Sequence, residues 1–387
     1  MIRRVVAGVL AVVLITVTAV ACSSAEKASC PPLALAFLGV LTGPDASSGE
    51  VVRNSAAVAV ADHNVENPDC EVGLISYDSK GTAEIAKVLA RQIVADPQII
   101  GVVGPVFSGE TSAVMPIFEE AGLPVLTPSA TNPTLSEQGW RTFHRLVGTD
   151  AAQGPAGVAW LVDEVNPASV GVIDDGTLFG KALADFVFED LNRRGIRIAP
   201  RQQVEPGRKD YGDTVTAVTG TEVDAVFFGG LGESGAQLHR QLRDAGVKGL
   251  FVGGDGLYTA TFLEVISTGP DGGTEVAVTC ACLGSATTDA QKAFVERYEQ
   301  TFEGAPLYFA FEGYDAADML LAGIDAGART RAELQEWLGT AVHEGLSKTI
   351  QFGPTGEVVG GPVFVNRIRD GRFVTVAKVA DGRVTPL

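Results

Sequence analysis

The stretch IIGVVGPVFSGETSAVMPIFEEAGLPVLTP, residues 99–128, decides the fold. It opens on Ile99–Val103, a short apolar run rich in β-branched residues, which reads as a strand buried on both faces. After Gly104-Pro105 the period changes. Thr111–Ala121 has helical spacing and closes on Gly122, a residue suited to the left-handed cap. Val125–Thr127 then returns to an extended apolar run. Strand, helix and strand with short connections predict a parallel pair joined by a right-handed crossover.

The alternation continues in both directions. Strands are expected at Leu33–Val40, Val72–Tyr77, Val170–Ile173, Ala225–Phe228 and Leu250–Val252, and helices at Val51–Asn64, Ala83–Ala95, Lys181–Arg194 and Ala236–Ala245. The pattern restarts near residue 150, after Phe143–Val147 and a loop at Gly148–Gly154. The fold class is therefore α/β, with two doubly wound lobes of similar plan. The last part changes character. Helices at Asp289–Phe302, Tyr314–Ala326 and Arg331–Val342 precede strands around Thr349–Phe352, Val363–Arg369 and Val374–Val379.

The chain has 387 residues, 46% of them hydrophobic, which excludes disorder as its dominant state. Its 46 glycines show no period of three, which excludes collagen. A net charge of −18 repels phosphate backbones and anionic headgroups, so no nucleic-acid partner is expected.

The first segment is an address. Arg3 and Arg4 are followed by the uncharged run Val5 to Ala21, then by Ala19-Val20-Ala21-Cys22-Ser23-Ser24. This reads as a secretory signal over residues 1–21, too short for a membrane span. Cysteine directly after small residues resembles a bacterial lipobox, with Ala19 where leucine is commonest. Lipidation at Cys22 is expected, with a tether over 22–30 and the remainder soluble outside the cytoplasm.

Four further cysteines allow three pairings in an oxidising compartment. Cys30 and Cys70 each precede an expected strand. If those strands are parallel neighbours, the two lie at one sheet end within bridging reach, so a Cys30–Cys70 disulfide is expected. Cys280 and Cys282 alternate along one strand face, where a bridge would be strained; paired and free thiols are both open. No metal site is expected, because no histidine stands near them in sequence.

Enzyme signatures are mostly missing. There is no Walker loop and no HExxH, and Gly232-Glu233-Ser234-Gly235-Ala236 fails as a nucleophile elbow at its last position. His144, between Phe143 and Arg145, reads as a packed histidine rather than a base. Asp174-Asp175-Gly176 reads as turn chemistry. One motif imitates a dinucleotide site: Gly230-Leu231-Gly232-Glu233-Ser234-Gly235 follows a strand, opens a helix, and has Asp255 about twenty residues further on. Its depth in the chain and the extracytoplasmic address speak against a nicotinamide cofactor, and none is expected.

The loops after the third and fourth strands carry a sharper signal. Gly104–Thr111 and Thr127–Pro133 lie at the carboxyl ends of parallel strands, where such sheets bind ligands. Ser108 and the N–H groups after it would present a helix N-terminus to a carboxylate, and Thr131 a hydroxyl that donates and accepts. Plain N-capping by Ser108 and a proline-rich turn explain the same residues equally well.

Leu41-Thr42-Gly43-Pro44, Ile100–Pro105, Gly122–Val125, Thr127–Thr131, Phe228-Gly229-Gly230, Gly253–Gly256 and Gly313–Ala316 stand in the order and spacing of one family. Over residues 31–387 the chain resembles the type I periplasmic binding proteins, in particular the leucine/isoleucine/valine-binding substrate-binding proteins of ABC importers. The resemblance implies two Rossmann-like lobes joined by three crossovers, 31–146 with 282–346 and 147–281 with 347–387, closing over a ligand as a hinged clamp. It implies a monomer without catalytic residues or cofactor that hands a small, branched-chain-like amino acid to an ABC permease, or a sensor module of the same fold.

By position, Ser108 and Gly109 resemble the residues on the ligand carboxylate, Ser129 and Ala130 the loop giving a carbonyl to the ammonium, and Thr131 the residue touching both. Asp255 stands where the family places an acid against the ammonium, often the longer glutamate. Phe179, Ser48 and Leu231 occupy side-chain wall positions where large aromatics or tyrosine are common.

Overall fold

A computed structural model describes residues 30–269, 272–358 and 360–387. The expected signal segment 1–21, the lipidation residue Cys22 and the tether through residue 29 lie outside the described residues.

The first body is built on β1 (Leu33–Gly39), α1 (Ala46–Glu66), β2 (Val72–Asp78), α2 (Ala83–Ala95), β3 (Ile99–Val103), α3 (Ser108–Glu120), β4 (Val125–Thr127) and β5 (Phe143–Arg145). Its five strands are parallel in the order β2-β1-β3-β4-β5. β1, β3 and β4 are buried along their whole length, as helices on both faces of a parallel sheet require. Gly49 of α1 sits against the Val40 carbonyl, where any Cβ would collide with the oxygen.

The second body follows with α4 (Asp150–Val165), β6 (Ser169–Asp174), α5 (Leu178–Arg193), β7 (Arg197–Gln203), α6 (Gly212–Thr219), β8 (Ala225–Gly229), α7 (Gly232–Asp244), β9 (Leu250–Gly253), α8 (Ala260–Ser267) and β10 (Val276–Cys280). The chain then returns as α9 (Asp289–Thr301), α10 (Ala310–Asp325) and α11 (Arg331–Leu338), with a short ladder of β11 (His343–Glu344) and β12 (Thr349–Ile350). These helices pack on the first body. Phe294, Tyr298 and Phe311 cluster with Val51 and Val58 of α1. The Arg331 guanidinium donates to the carbonyls of Ile99, Val94 and Asp96 at 2.9, 3.1 and 2.8 Å.

Finally β13 (Val363–Arg369), β14 (Arg372–Ala380) and β15 (Arg383–Pro386) complete the second sheet, in the order β15-β14-β13-β10-β9-β8-β6-β7. The chain thus passes between the bodies three times, after β5, β10 and β12. The fold is the two-lobed α/β architecture expected.

Several boundaries differ from the sequence reading. The segment Gly148–Gly154 is not all loop, since α4 begins at Asp150 and runs through Pro155. A proline there removes one helical hydrogen bond, which disguises the helix in sequence. α3 starts at Ser108 rather than Thr111, and α10 at Ala310 rather than Tyr314. α11 stops at Leu338 before Gly339, not at Val342, whose side chain is exposed. Only Thr349–Ile350 of the expected strand Thr349–Phe352 forms a ladder, Phe352 making an isolated bridge with Val358.

β1 and β2 are parallel neighbours with Leu33 opposite Val72, and a disulfide joins Cys30 to Cys70, with Cα atoms 5.0 Å apart. Cys280 and Cys282 are also bridged. They do not share a strand face: β10 ends at Cys280, so the chain turns into the crossover before Cys282.

Candidate ligand-binding site

The carboxyl ends of both sheets face one cleft. From the first body come the β3–α3 loop and the β4 loop; from the second, the start of α5, the β8–α7 loop and the turn after β9. Val106, Phe107, Ser108, Ser129, Phe179, Leu231, Asp255, Gly256, Tyr308 and Phe309 line a single space. It has room for about one water, at ≈ 20 Å³. The lobes are closed on each other. Asn132 donates its side-chain amide to the Leu178 carbonyl at 2.9 Å, the Glu233 amide donates to Asp45 Oδ1 at 3.3 Å, and the Ser47 and Thr261 hydroxyls meet at 3.4 Å.

Ser108 is the first residue of α3 and not its cap, which is Phe107. Its Oγ accepts from the Asn132 amide at 3.2 Å, leaving the hydroxyl proton to be directed elsewhere. Glu110, one turn in, reaches back to the Phe107 amide at 3.1 Å, and burial pushes its carboxyl up to about 7. The Ser129 hydroxyl donates to the Val106 carbonyl at 2.8 Å, tying the two loops together.

Gly109, Ala130, Thr131 and Ser48 do not line the space. Gly109 lies in the first turn of α3 and is half-buried. The Ala130 carbonyl is occupied by the Arg145 guanidinium at 3.0 Å. The Thr131 hydroxyl is buried without a hydrogen-bond partner of good geometry. It lies beside the buried Asp150 carboxyl, close enough to lower that group's pKa. Ser48 acts one step back, through the Tyr308 hydroxyl.

Asp255 is the focus. Its carboxyl is buried, Oδ2 has no partner, and burial holds its pKa well above the usual carboxylate range. The Asp150 charge adds to the rise, while the Gly256 amide and Gln153 side chain lower it. A buried acid oxygen without a donor is costly unless a cation or donor arrives.

Phe179 and Leu231 stand on one side of the space, and its other side was not foreseen. Tyr308 and Phe309, with rings 4.4 Å apart, come from the segment that precedes α10. Phe309 is held at φ 58°, a left-handed conformation costing a non-glycine residue on the order of 1–3 kcal/mol. Asp150 and Gln153 were missed as well, since they lie in the segment read as loop. A Tyr-Phe pair directly before a helix was the one sequence signal available.

The dinucleotide-like loop has another purpose. A Cβ at Gly230 would meet Phe228 and Asp175, at Gly232 Thr259, and at Gly235 Leu257, so the protein's own atoms fill the space. The Leu231 amide already donates to Asp175 Oδ2 at 2.9 Å, and the Glu233 amide to Asp45. No first-turn cradle is left for a pyrophosphate, and Asp255 turns into the cleft instead. Asp174 and Asp175 accept from the Gly176 and Thr177 amides at 2.9 and 3.0 Å, the turn chemistry expected. His144 is packed beside Phe352, and burial lowers its pKa to about 4.

A family model described as periplasmic binding protein matches residues 32–372. A Leu/Ile/Val-binding protein of Rhizobium johnstonii is 29% identical over 367 residues, covering 93% of this chain and 98% of its own. An amino acid binding protein of Pseudomonas aeruginosa is 30% identical over 83% of this chain and 87% of its own. Among solved structures, a leucine binding protein from Thermotoga maritima has a TM-score of 0.80 at 24% identity, covering 90% of this chain and 99% of its own.

Proposed function

The chain belongs to the periplasmic binding protein family, and from that premise we propose that it captures a small amino acid in the cleft and delivers it to an ABC permease. It binds rather than catalyses. The observation that carries the reading is Asp255: a buried acid with an oxygen lacking any partner, lining the same space as Ser108 and Ser129. A ligand ammonium supplies the missing positive charge there. The ligand carboxylate goes to the Ser108 hydroxyl and the N–H groups opening α3, where the helix dipole favours an anion. The Ser129 carbonyl completes the head-group site. The ligand side chain meets Phe179, Leu231, Tyr308 and Phe309, an apolar wall suited to a leucine-like group.

Charge-assisted hydrogen bonds inside a closed cleft contribute about 1.5–3 kcal/mol each. The lobes must open to admit such a ligand and then close over it. Among the described residues no helix is long and apolar enough to cross a membrane. Membrane attachment is assigned to a lipid on Cys22 at the end of the tether.

A thermal-shift screen of the twenty amino acids, with matched carboxylates lacking the amine, tests the reading. Stabilisation by one or more aliphatic amino acids supports it. Stabilisation by the carboxylates alone contradicts it.

A further inference from the structure

We propose that a pocket at the hinge, lined by Glu312 and Lys348, is a second ligand site, and that it takes an amino-acid-type zwitterion with an aliphatic body. The proposal goes beyond the reading of the cleft and does not depend on it.

The pocket has a volume of ≈ 510 Å³ and shares no residue with the cleft space. The crossovers meet at it. Leu283 lies on the chain leaving β10, Lys348 directly before β12, and Pro362 directly before β13. Glu312 enters from the first turn of α10. The Lys348 ammonium donates to the carbonyl of Leu146, the residue after β5, at 2.7 Å, which ties the third crossover to the first.

The Glu312 carboxyl is fixed at one oxygen and open at the other. Oε1 accepts from the Leu283 amide at 2.9 Å, whereas Oε2 has no hydrogen-bond partner although the side chain is fully buried. Asp315, one turn further along α10, shows the contrast, since its two oxygens accept from the Leu346 and Ser347 amides at 2.5 and 2.8 Å. A buried carboxyl oxygen without a donor costs free energy that an arriving donor recovers. Lys348 lies close enough to draw the Glu312 pKa down, yet it does not bond Oε2. Burial still holds that group at about 7, and a further positive charge beside it would favour the ionised form.

Lys348 supplies the opposite charge. Its bond to Leu146 uses one of the three protons an ammonium carries. Ala281, Leu283, Pro362 and Phe364 add apolar lining. An acceptor, a cation and an apolar wall in one pocket match a zwitterion with an aliphatic body. Its ammonium goes to Glu312 Oε2, its carboxylate to Lys348 and its side chain to Leu283, Pro362 and Phe364. A plain carboxylate would leave Oε2 without a donor, and a plain amine would leave the Lys348 charge unanswered.

The test is calorimetric titration with leucine as the probe, on the full chain and on its Asp255→Ala, Glu312→Gln and Lys348→Met variants. The expected result is a leucine-binding event that survives Asp255→Ala and that Glu312→Gln weakens by at least about tenfold. Glutamine keeps an acceptor for the Leu283 amide while removing the charge. Lys348→Met, at a half-buried position, should weaken the same event by a similar factor, and serves if Glu312→Gln fails to fold. At that site isoamylamine and isocaproate, which are leucine without its carboxylate and without its ammonium, should each compete at least about tenfold worse than leucine. The proposal is overturned if no event that survives Asp255→Ala responds to either hinge variant, or if isocaproate competes there as well as leucine. A single event that Asp255→Ala removes would overturn the hinge site and leave the cleft reading standing.

Discussion

The side-chain amide of Asn132 donates to the Leu178 carbonyl at 2.9 Å, joining the residue after Thr131 to the residue before Phe179. One hydrogen bond thus links the head-group loop of the first lobe to the wall of the second. It exists only when the lobes are closed. Asn132→Ala should weaken ligand affinity by about 0.5–1.5 kcal/mol, roughly two- to tenfold, without removing a ligand contact. Calorimetry reads the affinity, and small-angle scattering should show a larger open fraction at subsaturating ligand. Unchanged values in both would mean this bond does not hold the closed state.

Burial sets an unusual pH dependence. Asp45 and Asp315 are pushed up to about 6, and Glu110, Asp150 and Glu312 to about 7. An acid whose folded pKa exceeds its unfolded value stabilises the fold fully below the unfolded pKa. That contribution is lost as pH rises through the folded pKa. His343, raised by Asp318, acts in the same direction above its ordinary value, while His144, lowered to about 4, acts against it. The ligand-free protein should therefore lose Tm between about pH 5 and 8. A Tm that climbs steadily over that range would contradict the burial assigned to these acids.

The Cys30–Cys70 bridge ties the entry to β1 to the entry to β2 across a separation of 40 residues. A loop of that size corresponds to about 3–4 kcal/mol of unfolded-chain entropy. The double variant Cys30→Ser, Cys70→Ser should lower unfolding free energy by about that much, with ligand affinity little changed because the bridge lies outside the cleft. Peptide mapping without reductant that finds both thiols free in the wild type would remove the basis for it.

Anchoring is tested separately. Cys22→Ser should convert a protein that partitions into detergent with the membrane into one that is released or left unprocessed. A cleaved, membrane-associated Cys22→Ser protein would refute lipidation at that residue.

The central strands were readable because burial on both faces demands continuous apolar runs, as in Leu33–Gly39 and Ile99–Val103. The edge strand β7 was not, since Arg197-Ile198-Ala199-Pro200-Arg201-Gln202-Gln203 is polar and carries a proline that only an edge tolerates. α4 was hidden by Gly154 and Pro155, and Asp150 with it. Ser108 could be read as a candidate from loop position, because strand ends fix where such loops converge, whereas Asp255 reads as a ligand acid only through the family resemblance. Tyr308 and Phe309 could not. They reach the cleft only after the chain has crossed back to the first lobe, a meeting set by tertiary packing and not by local pattern.

The central claim is that Asp255 recognises a ligand ammonium, and calorimetric titration of Asp255→Ala tests it most directly. Removing one partner of a buried charge pair leaves the other uncompensated, at a cost of about 3–5 kcal/mol. The variant should lose at least a few hundredfold in affinity for the amino acid the wild type binds. It should also cease to distinguish that amino acid from its deaminated analogue, because the group that rejected the analogue is gone. Circular dichroism should show the fold intact, since a cleft acid contributes little to either core. If Asp255→Ala binds the amino acid as tightly as the wild type, the ammonium is not read by this residue, and a carboxylate without an amine becomes the better ligand.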